Sequence, residues 1–264
     1  MNATTVDGPI LSAEEISVSF GGVTALSGVS IEVRAGEILS VIGPNGAGKT
    51  TLFNAITGAC APSAGRVLLE GRDITGLPMH RVAALGVARS FQNLKPFAEM
   101  TVLENVLIGR EIHQKSGLLA AVLRTKAWRD DEKRNLRRTR DLVNFVGLER
   151  KRDVPARHLT YGERKMLEIA RAMATEPHIL LLDEPVAGMN ATETGFVMEL
   201  ARRIRERGVT VVIIEHDMKM VMGISSRIYV LDRGELIAEG SPAQIRANPR
   251  VIEAYLGGMT YAQP

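Results

Sequence analysis

Nine residues constrain this chain more than any others: Gly43, Pro44, Asn45, Gly46, Ala47, Gly48, Lys49, Thr50 and Thr51. They fit G-x-x-x-x-G-K-[ST], a phosphate-binding loop. The flanks are those the motif needs. Before it, Glu37 to Ile42 is a short apolar run that reads as a buried strand. After it, Lys49 to Thr57 reads as a helix, with Gly58 where a C-terminal cap belongs. A glycine-rich turn lets backbone N–H groups close around phosphate oxygens. The helix N-terminus adds unpaired N–H groups and the positive end of its dipole. Lys49 can reach the β- and γ-phosphates, and the Thr50 hydroxyl can hold Mg²⁺. A Gly-rich turn without a ligand is the competing reading.

The remaining composition excludes more than it selects. A chain of 264 residues holds one large domain or two small ones, and 45% hydrophobic residues support a sizeable core. Aromatics at 4% argue against stacking on single-stranded nucleic acid as a main function. A net charge of +3 is compatible with an anionic ligand, a membrane surface or nucleic acid and decides for none. One cysteine, Cys60, excludes an internal disulfide and a multi-cysteine metal site, and suits a reducing compartment. Apolar runs such as Val209 to Ile214 are strand-length, well below the roughly 20 residues of a membrane-spanning helix. The start of the chain, with Asp7, Glu14 and Glu15, does not read as a secretory signal. A cytoplasmic protein is expected, moved elsewhere only by a partner.

Residues 1 to 12 read as a loose tail. Ile16, Val18 and Phe20 alternate with serines, and Val29, Ile31 and Val33 alternate with polar residues, so each set predicts a half-buried strand. Residues 13–36, with 63–75, are expected to form a small antiparallel layer. Gly86 to Gln92 reads as a strand ending at a polar residue. From about Lys95 to Thr175 strand signals give way to helical ones. In the basic stretch 124–152, Arg134, Arg137, Arg138 and Asp141 lie opposite Leu136, Leu142, Val143 and Phe145. That face is either solvated or a surface for a partner or anionic lipid. Thr160 and Glu163 fit a capping box at the start of a helix. Met218, Met220 and Met222 read as helix packing.

Two further strands end in polar groups. Ile179 to Leu182 runs into Asp183-Glu184-Pro185, and Val209 to Ile214 runs into Glu215-His216-Asp217. In a parallel sheet these carboxyl ends face the ligand crevice. Asp183 is placed to share Mg²⁺ with Thr50, Glu184 to polarise a water, and His216 to meet the γ-phosphate or that water. Strands alternate with helices from residue 37 onward, which predicts an α/β fold with a mostly parallel sheet.

Taken in order, these motifs resemble the ATP-binding cassette of ABC transporters over about residues 10–257, leaving tails 1–9 and 258–264. Further segments resemble the ATPase subunits of branched-chain amino-acid uptake systems: Ser90 to Leu94, Met100 to Val106, Glu215 to Met218, Val251 to Gly257, and the insert at Gly117-Leu118-Leu119. The resemblance implies a P-loop ATPase fold with an N-terminal β layer and a helical subdomain near 95–175. It implies ATP and Mg²⁺ as ligands. Phe20 would stack on adenine, with packing in the β-layer core as the alternative. Gln92 would sense Mg²⁺ and the γ-phosphate. Thr160 and Gly162 would bind ATP held by a second copy. Glu184 would be the general base or the water-orienting group, and His216 the γ-phosphate switch.

Implied partners are a second cassette, membrane permease subunits and, indirectly, a periplasmic solute-binding protein. No nucleic acid is expected. The implied location is the cytoplasmic face of the inner membrane. A lipid or lipopolysaccharide exporter cassette, or a soluble cassette acting on nucleic acid, are the alternatives. Two positions depart from the family pattern. Glu163 stands where the signature carries Gln, so it either faces back to the helix cap or weakens ATP binding across the interface. Asn190 stands where many cassettes carry Asp.

Overall fold

The computed structural model describes residues 8–90, 96–113 and 125–256. The chain opens with β1 (Leu11–Phe20), β2 (Val23–Val33), β3 (Ile38–Ile42) and α1 (Lys49–Thr57). Then come β4 (Ala64–Leu69), β5 (Arg72–Asp73), α2 (Met79–Ala84) and β6 (Val87–Arg89). The helical stretch holds α3 (Val102–Ile108), α4 (Lys126–Phe145) and α5 (Tyr161–Ala174). The chain returns through β7 (Ile179–Asp183), α6 (Ala191–Glu206), β8 (Thr210–Ile214) and α7 (Met218–Ile224). It closes with β9 (Arg227–Asp232), β10 (Glu235–Gly240), α8 (Pro242–Ala247) and α9 (Pro249–Leu256).

Two sheets carry the molecule. The first is antiparallel, in the order β2-β1-β4-β5. The second runs β10-β9-β3-β8-β7-β6, parallel except for the β9–β10 hairpin. Strands β3, β7 and β8 are buried along their whole length, as expected where both faces of a parallel sheet are covered. Alternate residues go to opposite faces. Leu180 and Leu182 pack with α3, α4, α5 and α6, while Ile179 and Leu181 pack with α1 and the antiparallel sheet.

The register sets the site. Ile214 at the end of β8 lies opposite Val41 on one side and Asp183 on the other. The phosphate loop, the Asp183–Glu184 pair and His216 therefore leave the sheet at one level, with the His216 strand between the other two.

Three expectations need adjustment. Leu11 and Ser12 are not tail; Leu11 is buried and pairs with both Val33 and Leu69. The alternation was hidden because β1 is irregular between Ala13 and Ile16, with Glu15 at φ 54. Strand β6 is short, Val87–Arg89, and Gln92 lies outside the described residues. Phe20 is 53% exposed, so it is not a core residue of the β layer.

The antiparallel sheet is joined to the parallel one by Arg227. Its guanidinium donates to the Glu32 carbonyl at 2.5 Å, Glu37 at 2.8 Å and Glu239 at 2.8 Å. Burial opposes the charge, but the bonds to Glu37 and Glu239 raise the arginine's pKa further. On α4, Leu142, Val143 and Phe145 are buried and Arg134, Arg137 and Arg138 are exposed, as the periodicity predicts. The C-terminal helix α9 docks on this body: Val251 is buried beside Ile42 and Val230, and Tyr255 packs against the same cluster.

Candidate active site

The loop after β3 can be built only with glycine at its two ends. Gly43 has φ 151, and a Cβ there would lie 2.1 Å from the Leu231 carbonyl oxygen. Gly48 has φ 97, and its Cβ would lie 2.7 Å from the Ala25 oxygen and 2.6 Å from Leu26 Cδ2. Backbone thus approaches backbone on both sides, which a side chain would prevent. The loop is tied down by neighbours: Gly234 N–H donates to Ala47 O, and Ser27 N–H donates to Gly234 O. Helix α1 begins at Gly48 with no side-chain cap and no acid in its first turn. Its N-terminal N–H groups and dipole are left for an anion.

Lys49 is buried and donates to the carbonyls of Gly43 at 2.7 Å and Pro44 at 2.9 Å. Burial lowers its pKa, with Glu184 and Asp183 pulling the other way. Pro44, Asn45, Gly46 and Ala47 line a shallow cleft with Asp232, Arg233 and Arg250. Thr50 and Asp183 line a second cleft of about 850 Å³ that also contains Arg89, Glu168 and Arg171.

Asp183 is fully buried, with Oδ2 accepting from Arg89 at 2.7 Å and Oδ1 without a hydrogen-bond partner. A buried carboxylate oxygen left open in a cleft that Thr50 also lines suits a hard cation that takes its other ligands from phosphate. The donor set therefore fits Mg²⁺. Among the described residues, no cluster of three or more His, Cys, Asp and Glu could hold a metal by itself.

Glu184 follows with φ 47, a left-handed conformation rare for a residue with a side chain. Its N–H donates to the Ile214 carbonyl at 2.9 Å, and its own carbonyl accepts from Lys165 Nζ at 3.1 Å. The backbone is pinned at both polar groups, and such strain concentrates at functional sites. His216 is open to solvent beyond β8, with its side chain 60% exposed.

Thr160 and Gly162 open α5. The Thr160 hydroxyl accepts from Glu163 N–H, and the Glu163 carboxylate accepts from Thr160 N–H at 2.9 Å. Gly162 sits against Glu193 and Met189, beside the loop that follows β7. Among the described residues no hydrogen bond or ion pair joins this segment to the phosphate loop. The structure brings Lys49, Thr50, Asp183, Glu184 and His216 to one edge. It sets Thr160 and Gly162 apart, facing outward, with Tyr161 between them 42% exposed.

A family profile described as "ABC transporter" matches residues 26–187. The chain belongs to the ABC transporter family of ATP-binding cassettes. A second profile, "Branched-chain amino acid ATP-binding cassette transporter", matches residues 235–259 of this cassette. LivG of Salmonella typhimurium, a high-affinity branched-chain amino acid transport ATP-binding protein, is 46% identical over 250 residues, covering 94% of this chain and 98% of the relative. BraF of Pseudomonas aeruginosa, described in the same words, is 45% identical over 94% of this chain and 98% of its own. The ADP conformation of an ATP-binding cassette from an ABC transporter superposes with TM-score 0.82 at 36% identity, covering 94% of this chain and 98% of that one.

In this cassette Glu163 turns back to its cap and forms an ion pair with Lys151 at 2.5 Å, so its charge is met within the chain. Asn190 caps α6, accepting from Thr192 and Glu193 N–H at 2.9 and 3.0 Å. Three residues of the ABC site went unmarked in the sequence. Arg89 pairs with Asp183. Lys165, buried on α5, holds the Glu184 carbonyl. Glu215, 0% exposed, accepts backbone N–H bonds from Val186 at 2.9 Å, His216 at 3.0 Å and Asp217 at 3.3 Å. Asp183 ends and Glu215 directly follows a strand of the apolar-run type, a signal that marks the region without separating the roles.

Proposed function

We propose that the chain is the ATP-hydrolysing subunit of an importer for branched-chain amino acids. The observation that carries this reading is 46% identity with LivG along 94% of the chain. The match of residues 235–259 to the branched-chain profile supports it independently, at the far end of the sequence.

The chemistry follows from positioning and charge. Loop N–H groups from Gly43 to Gly48, the α1 N-terminus and the Lys49 ammonium hold the β- and γ-phosphates. Pro44, Asn45, Gly46, Ala47 and Thr51 shape that cradle. Thr50 and Asp183, with Gln92, would hold Mg²⁺, which would supply charge neutralisation of the phosphates. Glu184 takes the proton of the attacking water, and His216 steadies the γ-phosphoryl group. The exposed Phe20, at the tip of β1, stacks on the adenine ring.

Each site is completed by a second cassette, whose Thr160 and Gly162 close over the γ-phosphate. The outward-facing start of α5 supports this arrangement. Closure and hydrolysis then drive membrane permease subunits, which receive the amino acid from a periplasmic binding protein. Among the described residues no helix is long and apolar enough to cross a membrane. The proposed place of work is the cytoplasmic face of the membrane, where those permease subunits hold the chain. Nucleic acid has no part in the cycle.

The test is uptake of radiolabelled leucine, isoleucine and valine by cells whose own copy carries Lys49→Ala. Loss of uptake of all three is expected, together with co-purification of the wild-type chain with two permease subunits. Unchanged uptake, or co-purification with an exporter's membrane subunits, overturns the substrate assignment.

A further inference from the structure

Asp183 does not act alone at the metal corner of the crevice. Arg89, the last residue of β6, donates through Nη2 to Asp183 Oδ2 at 2.7 Å. Through Nη1 it donates to Asn54 Oδ1 of α1, also at 2.7 Å. Its guanidinium lies 5.6 Å from the centre of the Phe53 ring. The two charged side chains are 7% and 0% exposed, so water and salt screen them little. One arginine thus links the phosphate-loop helix, the strand leading toward Gln92 and the carboxylate at the end of β7.

A buried ion pair is a poor source of stability, because desolvation offsets the attraction. Its consequence here lies in what it leaves of Asp183. With Oδ2 taken by a guanidinium, the carboxylate cannot chelate through both oxygens. Only Oδ1, buried and without a hydrogen-bond partner, is presented. A cation on Oδ1 and the guanidinium on Oδ2 share one carboxylate and repel each other at short range.

We propose that Arg89 is a positioning residue that sets how tightly Asp183 holds the divalent cation accompanying ATP. It aims Oδ1 at the crevice. By its charge it keeps the cation affinity of the protein low, so that the cation is retained only when nucleotide phosphates add their own negative charge. Asn54 fixes the guanidinium in place from the other side. The inference rests on the reading of Asp183 as the cation holder.

The probe is Mn²⁺, titrated into the purified full-length chain and followed by the electron paramagnetic resonance of free Mn²⁺, with and without a non-hydrolysable ATP analogue. Removing one like charge a few ångströms from the ion should tighten Mn²⁺ binding about tenfold in Arg89→Gln. Binding of the analogue without metal should change less than about threefold, since no phosphate contact is lost. Arg89→Lys, which keeps the charge, should bind Mn²⁺ as the wild type does. Asn54→Asp should also tighten Mn²⁺ binding, by neutralising the guanidinium while keeping it paired. That variant carries the test if Arg89→Gln does not fold. Unchanged or weaker Mn²⁺ binding in the neutralised variants overturns the proposal. So does a parallel loss of analogue and Mn²⁺ binding, the mark of a purely structural role. Asp183→Asn separates the two readings. If it binds Mn²⁺ normally, the assignment of Asp183 fails; if it loses Mn²⁺ while Arg89→Gln and Asn54→Asp change nothing, only the role of Arg89 fails.

Discussion

At the scale of single residues, Glu184 makes the sharpest claim. Its backbone is held at both polar groups, by the Ile214 carbonyl and by Lys165 Nζ. Glu184→Gln should therefore leave the loop where it is and remove only the proton acceptor. ATP binding should stay within about threefold of wild type while turnover falls at least about 100-fold, the usual scale for losing a general base. Phosphate release and equilibrium binding of a fluorescent ATP analogue check both halves, and a near-normal rate would remove Glu184 from the chemistry. Gly43→Ala should act differently. The added methyl meets the Leu231 carbonyl oxygen at 2.1 Å. Loss of ATP binding and about 2 kcal/mol of stability are expected, read by urea denaturation.

Among the elements, two helix starts carry both structure and function. Asn190 supplies two capping bonds to α6, so Asn190→Ala should cost about 1 kcal/mol in chemical denaturation. Asn190→Asp keeps an acceptor at the same place and should be close to neutral. At the start of α5, partial burial pushes the Glu163 carboxyl up, but Lys151 and the Thr160 N–H outweigh it and hold its pKa below the ordinary value. Such a group stabilises the fold above its unfolded pKa of about 4.3, and the contribution is lost as pH falls through the lower folded value. Glu163→Gln keeps the capping box and loses the ion pair. Its melting point should lie about 2 °C below wild type at neutral pH, and the gap should close in acid. A gap independent of pH would detach Glu163 from Lys151.

What the sequence disclosed follows the same division. Phosphate loop, capping boxes and strand ends depend on neighbours in the chain, so local spacing reveals them. Arg89 and Lys165 depend on partners 94 and 19 residues away, as does the Glu215 bond from Val186, 29 residues away, and no local pattern announces such pairs. The start of strand β1 is illegible because an irregular register breaks its alternation.

At the scale of the whole molecule, the outward-facing start of α5 tests the proposal that each site is completed by a second cassette. Gly162→Ala puts a methyl group 3.1 Å from the flexible Glu193 Oε1, a contact the side chain can relieve. The isolated chain should fold and bind ATP as before. Turnover should fall at least about tenfold, because the added group obstructs approach to the partner's nucleotide. Light scattering with ATP on a Glu184→Gln background should show the dimer weakened; an unaltered dimer and rate would mean that each cassette works alone. Within each half, the buried carboxylate of Glu215 has three backbone tenants drawn from two loops, Val186 after β7 and His216 with Asp217 after β8. Two loops sharing one anchor are mechanically coupled. A shift of the loop that bears Glu184 is handed through one carboxylate to the loop that bears His216, so Glu215 is the crank between them.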